Sequence, residues 1–410
     1  MNSKAAHPQV VINIGTGKFF LHQTAELLAS INLLDSVVSG LLGSKPSSPS
    51  VKLLGNNANW RRLQNRSSTL ATMSNISQSY IGEIFYQLAN ICGKFKFGNK
   101  LKELCLYTSL LAFDFRARRH LKEASKRGAN IYHFRAGFGG KSVANAKGLG
   151  MQTICDHSYP HPLFNWWDST LRHTNKLPKY SVEQKILTDL DTADHVIVNS
   201  TFVADTFTNV GDMRHLTICT PPIDSRFTNV GNDTPFAKRS GVLFAGTCNF
   251  RKGIDRVGNI IENLEDDVSV VLAGNWDPDM FYIRSRIAER KNTSIKPHIS
   301  FTELANLMSK NLVFLFPTRA EGSESVVGEA LHNGCNVITT HEAGLPLNSN
   351  EGILINSRSA EDIAAEINRI HAEPKQYQVM SDAGRAAIKR IESEYYPTLI
   401  TLYHSILIEQ

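Results

Sequence analysis

This 410-residue sequence offers little for cross-linking, metal binding or membrane crossing. Its six cysteines (Cys92, Cys105, Cys155, Cys219, Cys248 and Cys335) show neither close pairing nor metal-type spacing, so no disulfide framework or zinc site is expected. Several fall in predicted strands, where a buried free thiol in a reducing cytosol is the ordinary reading. Asp156, His157 and His161 are a tempting zinc cluster, but they lack a further ligand at suitable spacing. No apolar run approaches the roughly 20 residues that span a bilayer. The opening MNSKAAHPQ has no apolar core of the secretory kind, so the expected location is the cytoplasm.

Two glycine loops fall short of the phosphate-binding signatures they imitate. Gly15-Thr16-Gly17-Lys18 follows the apolar run Gln9 to Ile14, but Phe20 stands where a dinucleotide fingerprint has its third glycine. Gly140-Lys141-Ser142 copies the end of a Walker motif, with Arg135 in place of the first glycine. An ATPase is therefore not expected. The strand, loop and helix around Gly140 still make a sensible edge to a substrate cleft.

The chain is long enough for two domains. Composition is that of a soluble globular protein, with 42% hydrophobic and 20% charged residues. Net charge is +6, unevenly spread. Residues 1–240 hold 28 Lys and Arg against 16 Asp and Glu; the remainder holds 16 against 22. That asymmetry predicts a boundary near residue 240. The basic excess peaks between Lys94 and Arg127, interleaved with Leu101, Leu104, Leu110, Leu111 and Phe113. Such an element can rest on an anionic membrane surface, or be the solvated face of an ordinary helix pair. Nucleic-acid binding is not expected, because no aromatic-rich or recognised nucleic-acid module accompanies the charge. Residues 44–80, rich in Ser, Asn and Pro, read as a long loop. Helices are predicted over Ile76 to Cys92 and Lys100 to Arg127, and strands over Asn130 to Phe134 and Met151 to Cys155. Phe164, Trp166 and Trp167 line an acceptor groove or fill the core.

The most informative stretch runs from Asn311 to Thr340. Val313 to Phe316 is apolar throughout and predicts a buried parallel strand. Pro317 ends it, and a loop carries Arg319, Glu321 and Gly322. A helix is predicted from Ser323, whose hydroxyl is suited to capping first-turn N–H groups, to Asn333-Gly334. A second strand, Asn336 to Thr340, follows. The helix start attracts phosphate through its dipole and free N–H groups. Glu321 on the loop and Glu329 in the helix bring two carboxylates to that place. This combination suits a phosphate flanked by polyols, the layout of a nucleotide sugar; two solvated acids on a helix are the alternative.

Two glutamates separated by seven residues, in the frame Glu321-Gly322…Val326-Val327-x-Glu329-Ala330-Leu331, resemble the signature of family 4 retaining glycosyltransferases. The resemblance is specific from about Ala193 onward and weak before. It implies an α/β chain of GT-B fold: two facing, doubly wound, Rossmann-like domains with a cleft between them. The domains are expected at residues 1–222 (acceptor side) and 223–385 (donor nucleotide), with a C-terminal helix, 386–410, crossing back onto the first. It implies transfer of a sugar from a UDP- or GDP-linked donor to an acceptor hydroxyl of a glycan or lipid-linked molecule, with retention, in polysaccharide or glycoconjugate biosynthesis. No metal or cofactor is expected. By resemblance, Glu321 and His157 are catalytic. Gly17, Arg251, Lys252, Ser323, Glu324, Ser325, Val326 and Glu329 bind the donor, Glu329 through its ribose. Family members usually carry Arg directly after the strand glycine and Lys five residues later. Here Lys252 fits, Thr247 replaces the Arg, and Arg251 supplies the second charge. A silent GT-B scaffold and a nucleotide-sugar epimerase are the competing readings. The location implied is cytoplasmic, including the inner face of the membrane.

Overall fold

The computed structural model describes residues 7–16, 20–42, 70, 73, 75–93, 98–165, 177–223, 234–297, 299–355 and 358–408. In chain order the first half contains β1 (Val10–Gly15), α1 (Phe20–Ser30), β2 (Leu34–Ser39), β3 (Ile76–Gln78), α2 (Tyr80–Cys92), α3 (Asn99–Lys126), β4 (Ile131–Arg135), α4 (Lys141–Gly148), β5 (Gln152–His157), α5 (Val182–Thr192), β6 (His195–Val198), α6 (Thr201–Asn209) and β7 (Leu216–Ile218). The second half contains β8 (Val242–Ala245), α7 (Ile254–Ile261), β9 (Val270–Ala273), α8 (Phe281–Ala288), β10 (Thr293–Lys296), α9 (Phe301–Lys310), β11 (Val313–Phe316), α10 (Ser325–His332), β12 (Asn336–Thr339), β13 (Ile353–Leu354), α11 (Ala360–Ala372) and α12 (Pro374–Ile408).

Two parallel sheets result. The first runs β3-β2-β1-β4-β5-β6-β7 and the second β10-β9-β8-β11-β12-β13. The strands are continuous apolar runs because helices cover both faces: β1, VVINIG, and β11, VFLF, are buried at every position. In each sheet the strand order reverses at the centre, between β1 and β4 and between β8 and β11. Ligands of open α/β sheets bind outside the carboxyl ends of the strands at such reversals.

The sequence expectation and the structure part at three places. Ile76 to Gln78 is a strand, not the start of a helix; α2 begins only at Tyr80, capped by the Ser79 hydroxyl accepting from Gly82 N–H at 3.3 Å. β2 has no counterpart in the sequence reading. The final helix is much longer than the segment around Leu402 to Leu407, running unbroken for 35 residues with Pro397 inside it. Residue 386, expected to begin a separate element, lies mid-helix. Ile388 and Ile391 of α12 belong to the core of the second sheet. Tyr395, Leu399, Tyr403 and Ile406 pack on β1, β4, β5 and β6 of the first. A helix-interior proline costs about 3 kcal/mol. Each fully buried large apolar side chain returns about 1.5–3 kcal/mol, and four follow one another along this segment, so the helix continues through it.

Candidate functional site

At the reversal between β8 and β11, two loops face each other: Gly246–Gly253 after β8 and Pro317–Glu324 after β11. Gly253 closes the first loop with a left-handed φ of +74°, and a Cβ there would lie 2.0 Å from the Pro317 carbonyl oxygen. Only glycine lets the two loops approach so closely. The Arg251 carbonyl then accepts from the Thr318 hydroxyl at 3.0 Å and the Arg319 N–H at 2.8 Å. Arg319 reaches back, donating to both Asp255 oxygens at 2.8 and 2.6 Å and lying 3.8 Å above the Phe250 ring. These bonds hold Arg251 and Lys252 against Glu321 and Glu324.

The cluster is tight. Lys252 Nζ lies 2.8 Å from Glu321 Oε1 and 2.6 Å from Glu324 Oε2. Arg251 pairs with the other Glu321 oxygen and donates to the Ala320 carbonyl at 2.7 Å. Burial pushes the Glu321 carboxyl up, but Lys252 and Arg251 more than offset it and hold it below the usual range. Glu324 is raised to about 7, by burial and then by the Glu321 charge, against the pull of Lys252. Glu321 is therefore a carboxylate at neutral pH, while Glu324 is poised to hold a proton. Two cations facing one ionised carboxylate leave a net positive charge beside the start of α10, whose first N–H groups have no intrahelical acceptor.

Ser323 does not cap that helix, contrary to the sequence expectation. The N-cap is Glu324, with no side-chain cap bond, because its carboxyl is turned to Lys252. Ser325 is exposed, Ser323 half-buried and Val326 buried beside it. Ser323, Glu324 and Ser325 line a small cavity completed by Pro222 and Ile223 and by Ile391 and Glu392 of α12. Glu329 is buried on the same helix and engaged. Gly17 lies outside the described residues, as do Trp166 and Trp167. A larger cavity, of about 600 Å³, opens far from this cluster between β6 and the end of α12 and involves none of these residues.

His157, the last residue of β5, is 2% exposed and packs edge-on to Phe207 of α6, ring centroids 5.7 Å apart. Burial and then the neighbouring His161 lower it to about 3, so it is neutral at working pH. Among the described residues it forms no hydrogen bond or ion pair with the glutamate cluster. The segment after it does meet the second domain. Tyr159 faces Arg251, the guanidinium 5.9 Å from its ring centroid, and the Ser200 hydroxyl donates to the Gly322 carbonyl at 2.6 Å. Sequence reasoning missed Tyr159, Ser200, Thr318 and Asp255, whose roles arise from approaches across loops and domains that local pattern does not record.

The glycine loop before α4 is filled from within. Asp189 of α5 accepts the N–H groups of Gly137, Gly139 and Gly140 at 2.8, 2.9 and 2.5 Å, and Asp114 of α3 accepts that of Ser142 at 2.6 Å. An internal carboxylate sits where a phosphate was imaginable. Asp191, two residues on, pairs instead with Arg214. Asp156 faces His133 at 3.3 Å, on the opposite side of β5 from His157. No group of three or more metal-ligating side chains gathers among the described residues.

Two doubly wound parallel sheets with the cluster in the cleft between them define the GT-B fold. Residues 231–387, which contain every residue of the Arg251–Glu329 site, match the family described as glycosyl transferases group 1. No curated protein matches the chain in sequence. Among solved structures, sucrose-phosphate synthase from Thermosynechococcus elongatus is similar at TM-score 0.66 and 16% identity, covering 98% of this chain and 100% of that one. HepE from Anabaena in complex with UDP is similar at 0.60 and 12%, covering 96% and 100%. A mutant S. aureus TarM in complex with fondaparinux, alpha-GlcNAc-glycerol and UDP is similar at 0.63 and 11%, covering 98% and 100%. At these identities the likeness concerns the fold.

Proposed function

We propose that this protein is a retaining glycosyltransferase that moves a sugar from a nucleoside-diphosphate donor to an acceptor hydroxyl. The observation that carries the proposal is the Arg251–Lys252–Glu321 cluster beside the start of α10, at the strand reversal of the second sheet. The match of residues 231–387 to glycosyl transferases group 1 supports it, as does the likeness of the fold to proteins solved with UDP.

In this reading the donor diphosphate takes Arg251, Lys252 and the α10 N-terminus as its partners. Glu321, relieved of its cations, turns to the sugar hydroxyls. The acceptor oxygen bonds to the anomeric carbon as the bond from that carbon to the diphosphate oxygen breaks. The acceptor proton passes to a donor phosphate oxygen, and the nucleoside diphosphate leaves. Charge builds on the leaving phosphate where fixed cations and N–H dipoles already point, and preorganised stabilisation of this kind usually lowers the barrier more than any other effect. Glu321, ionised, faces the positive charge at the anomeric carbon, and Glu329 holds the ribose diol. His157, neutral and buried against Phe207, positions the Ser158–Tyr159 edge of the acceptor side. No metal is invoked, and the acceptor is a glycan or lipid-linked hydroxyl.

The test is thermal stabilisation and slow donor hydrolysis across a panel of UDP- and GDP-sugars, with Glu321→Ala and Lys252→Ala alongside. One donor should raise the melting temperature and turn over, and both variants should lose turnover. If no nucleotide sugar shifts the melt at millimolar concentration, the proposal fails and a scaffold role takes its place.

A further inference from the structure

We propose that the exposed face of the α2–α3 helix pair docks this protein on an anionic lipid bilayer. The surface of α2 is inverted relative to an ordinary solvated helix. Ile81, Ile84, Leu88 and Ile91, spaced three or four residues apart, form one stripe exposed at 63%, 57%, 41% and 43%, with Tyr80 at 60% beside them. The only charged residue of α2, Glu83, is buried instead. The adjoining α3, packed along α2, also exposes Leu104, Leu111 and Phe115, at 61%, 45% and 47%. A stripe of this extent on two packed helices is far more than scattered surface apolar residues.

Charge selects the occupant. α3 carries seven Lys and Arg against three Asp and Glu, and one of those acids, Asp114, is buried. Lys100, Lys102, Arg116, Arg119 and Lys122 form no ion pair with a described residue. The Arg119 guanidinium instead lies 4.3 Å over the exposed Phe115 ring, its charge held at the rim of the apolar patch. An apolar stripe accompanied by cations that no described acid neutralises complements a leaflet with an apolar interior and an anionic surface. No described helix is long and apolar enough to cross a membrane, so the pair lies in the interface rather than spanning it. Lipid docking of this face is independent of the transfer chemistry.

The experiment is flotation of the full chain with vesicles of phosphatidylcholine alone and with about one third phosphatidylglycerol. The protein should float with the anionic vesicles, remain behind with the neutral ones, and be released by high salt. Ile84→Ser with Leu88→Ser, and separately Arg116→Glu with Arg119→Glu, should each lower the bound fraction roughly tenfold. Melting temperature and donor-nucleotide binding should be unchanged, since these side chains are exposed and none of them contacts the glutamate cluster. Ile84→Trp retains the apolar surface, and the difference between its emission and that of the native protein, which has four tryptophans of its own, should shift to the blue on anionic vesicles. Equal flotation with both vesicle types, undiminished binding of either double variant, or an unshifted Trp emission overturns the proposal. So does a lipid-free dimer that Ile84→Ser with Leu88→Ser converts to monomer, which would make the face a contact between copies.

Discussion

Lys252 lies between two carboxylates and, in the proposed reaction, exchanges them for a diphosphate. Charge-assisted hydrogen bonds are worth about 1.5–3 kcal/mol, so Lys252→Ala should weaken nucleotide-sugar binding about 10- to 100-fold, read by calorimetric titration. Glu324 makes that exchange depend on pH. Its folded-state value, about 7, lies above the ordinary carboxyl range. The stability it contributes is therefore present below the unfolded value and is lost as pH rises through about 7. Binding follows the same direction, because an ionised Glu324 repels the donor and competes for Lys252. Affinity for a nucleotide sugar, whose diphosphate loses no proton in this range, should fall severalfold between about pH 6 and about pH 8. Glu324→Gln should flatten the profile and bind as tightly at the upper end as the native protein does at the lower. A profile unchanged by Glu324→Gln would mean that another group carries the dependence.

At the scale of elements, what the sequence revealed depended on whether the determinants were local. The β11–loop–α10–β12 unit was legible because an apolar run, Pro317 and Gly334 punctuate it within thirty residues. Lys252 and Glu321, which the structure brings within 2.8 Å of each other, stood out because each follows a strand end in a frame the resemblance supplies. The start of α10 was not: Ser323 is the better local cap, but the Glu324 N–H goes to the Ala343 carbonyl at 2.9 Å and its carboxyl to Lys252, 72 residues away, partners that lie outside the local pattern. The continuity of α12 was hidden because Pro397 argues locally for a break, while the packing that overrides it comes from two separate cores. The same holds for Asp189, whose three N–H partners lie about fifty residues earlier in the chain. Two aspartates of α5 therefore offer a contrast. Asp189→Ala strands three N–H groups of a buried loop at about 1–3 kcal/mol each and should lower the melting temperature sharply. Asp191, 57% exposed and paired with Arg214, is a surface ion pair worth about 0–1 kcal/mol. Asp191→Ala should leave the melt within a degree or two. Comparable losses from both would show that the Asp189 bonds do not form in solution.

For the whole molecule, one of the tightest contacts between the two sheets lies at Gly322. Gly322 ends the Glu321 loop against the first domain, where a Cβ would come within 2.0 Å of the Ser158 carbonyl and 2.5 Å of the Asn199 amide. Its φ is not in the left-handed region, so alanine suits the local backbone and the conflict arises only across the cleft. Gly322→Ala therefore acts as a wedge. The second domain keeps its fold and the Lys252 cluster, so donor binding should survive within a few-fold. The acceptor side, carried by Tyr159 and the Ser200 hydroxyl, is pushed back, and the Ser200 to Gly322 bond is lost. Transfer needs both sides in register, and a displacement of about 1 Å can cost about a hundredfold in rate. The expected result is a kcat for transfer reduced about 10- to 100-fold with donor affinity nearly intact, and a larger radius of gyration by solution scattering. α12 opposes the opening, because its two halves are packed into the two cores and it must bend or partly detach for the cleft to widen. Gly322→Ala should therefore also lower the melting temperature, and truncation before Tyr395 should relieve the opposition while uncovering the first core. If donor affinity and transfer fall together in Gly322→Ala, the loop itself has been disturbed, and the cleft contact does not set the rate.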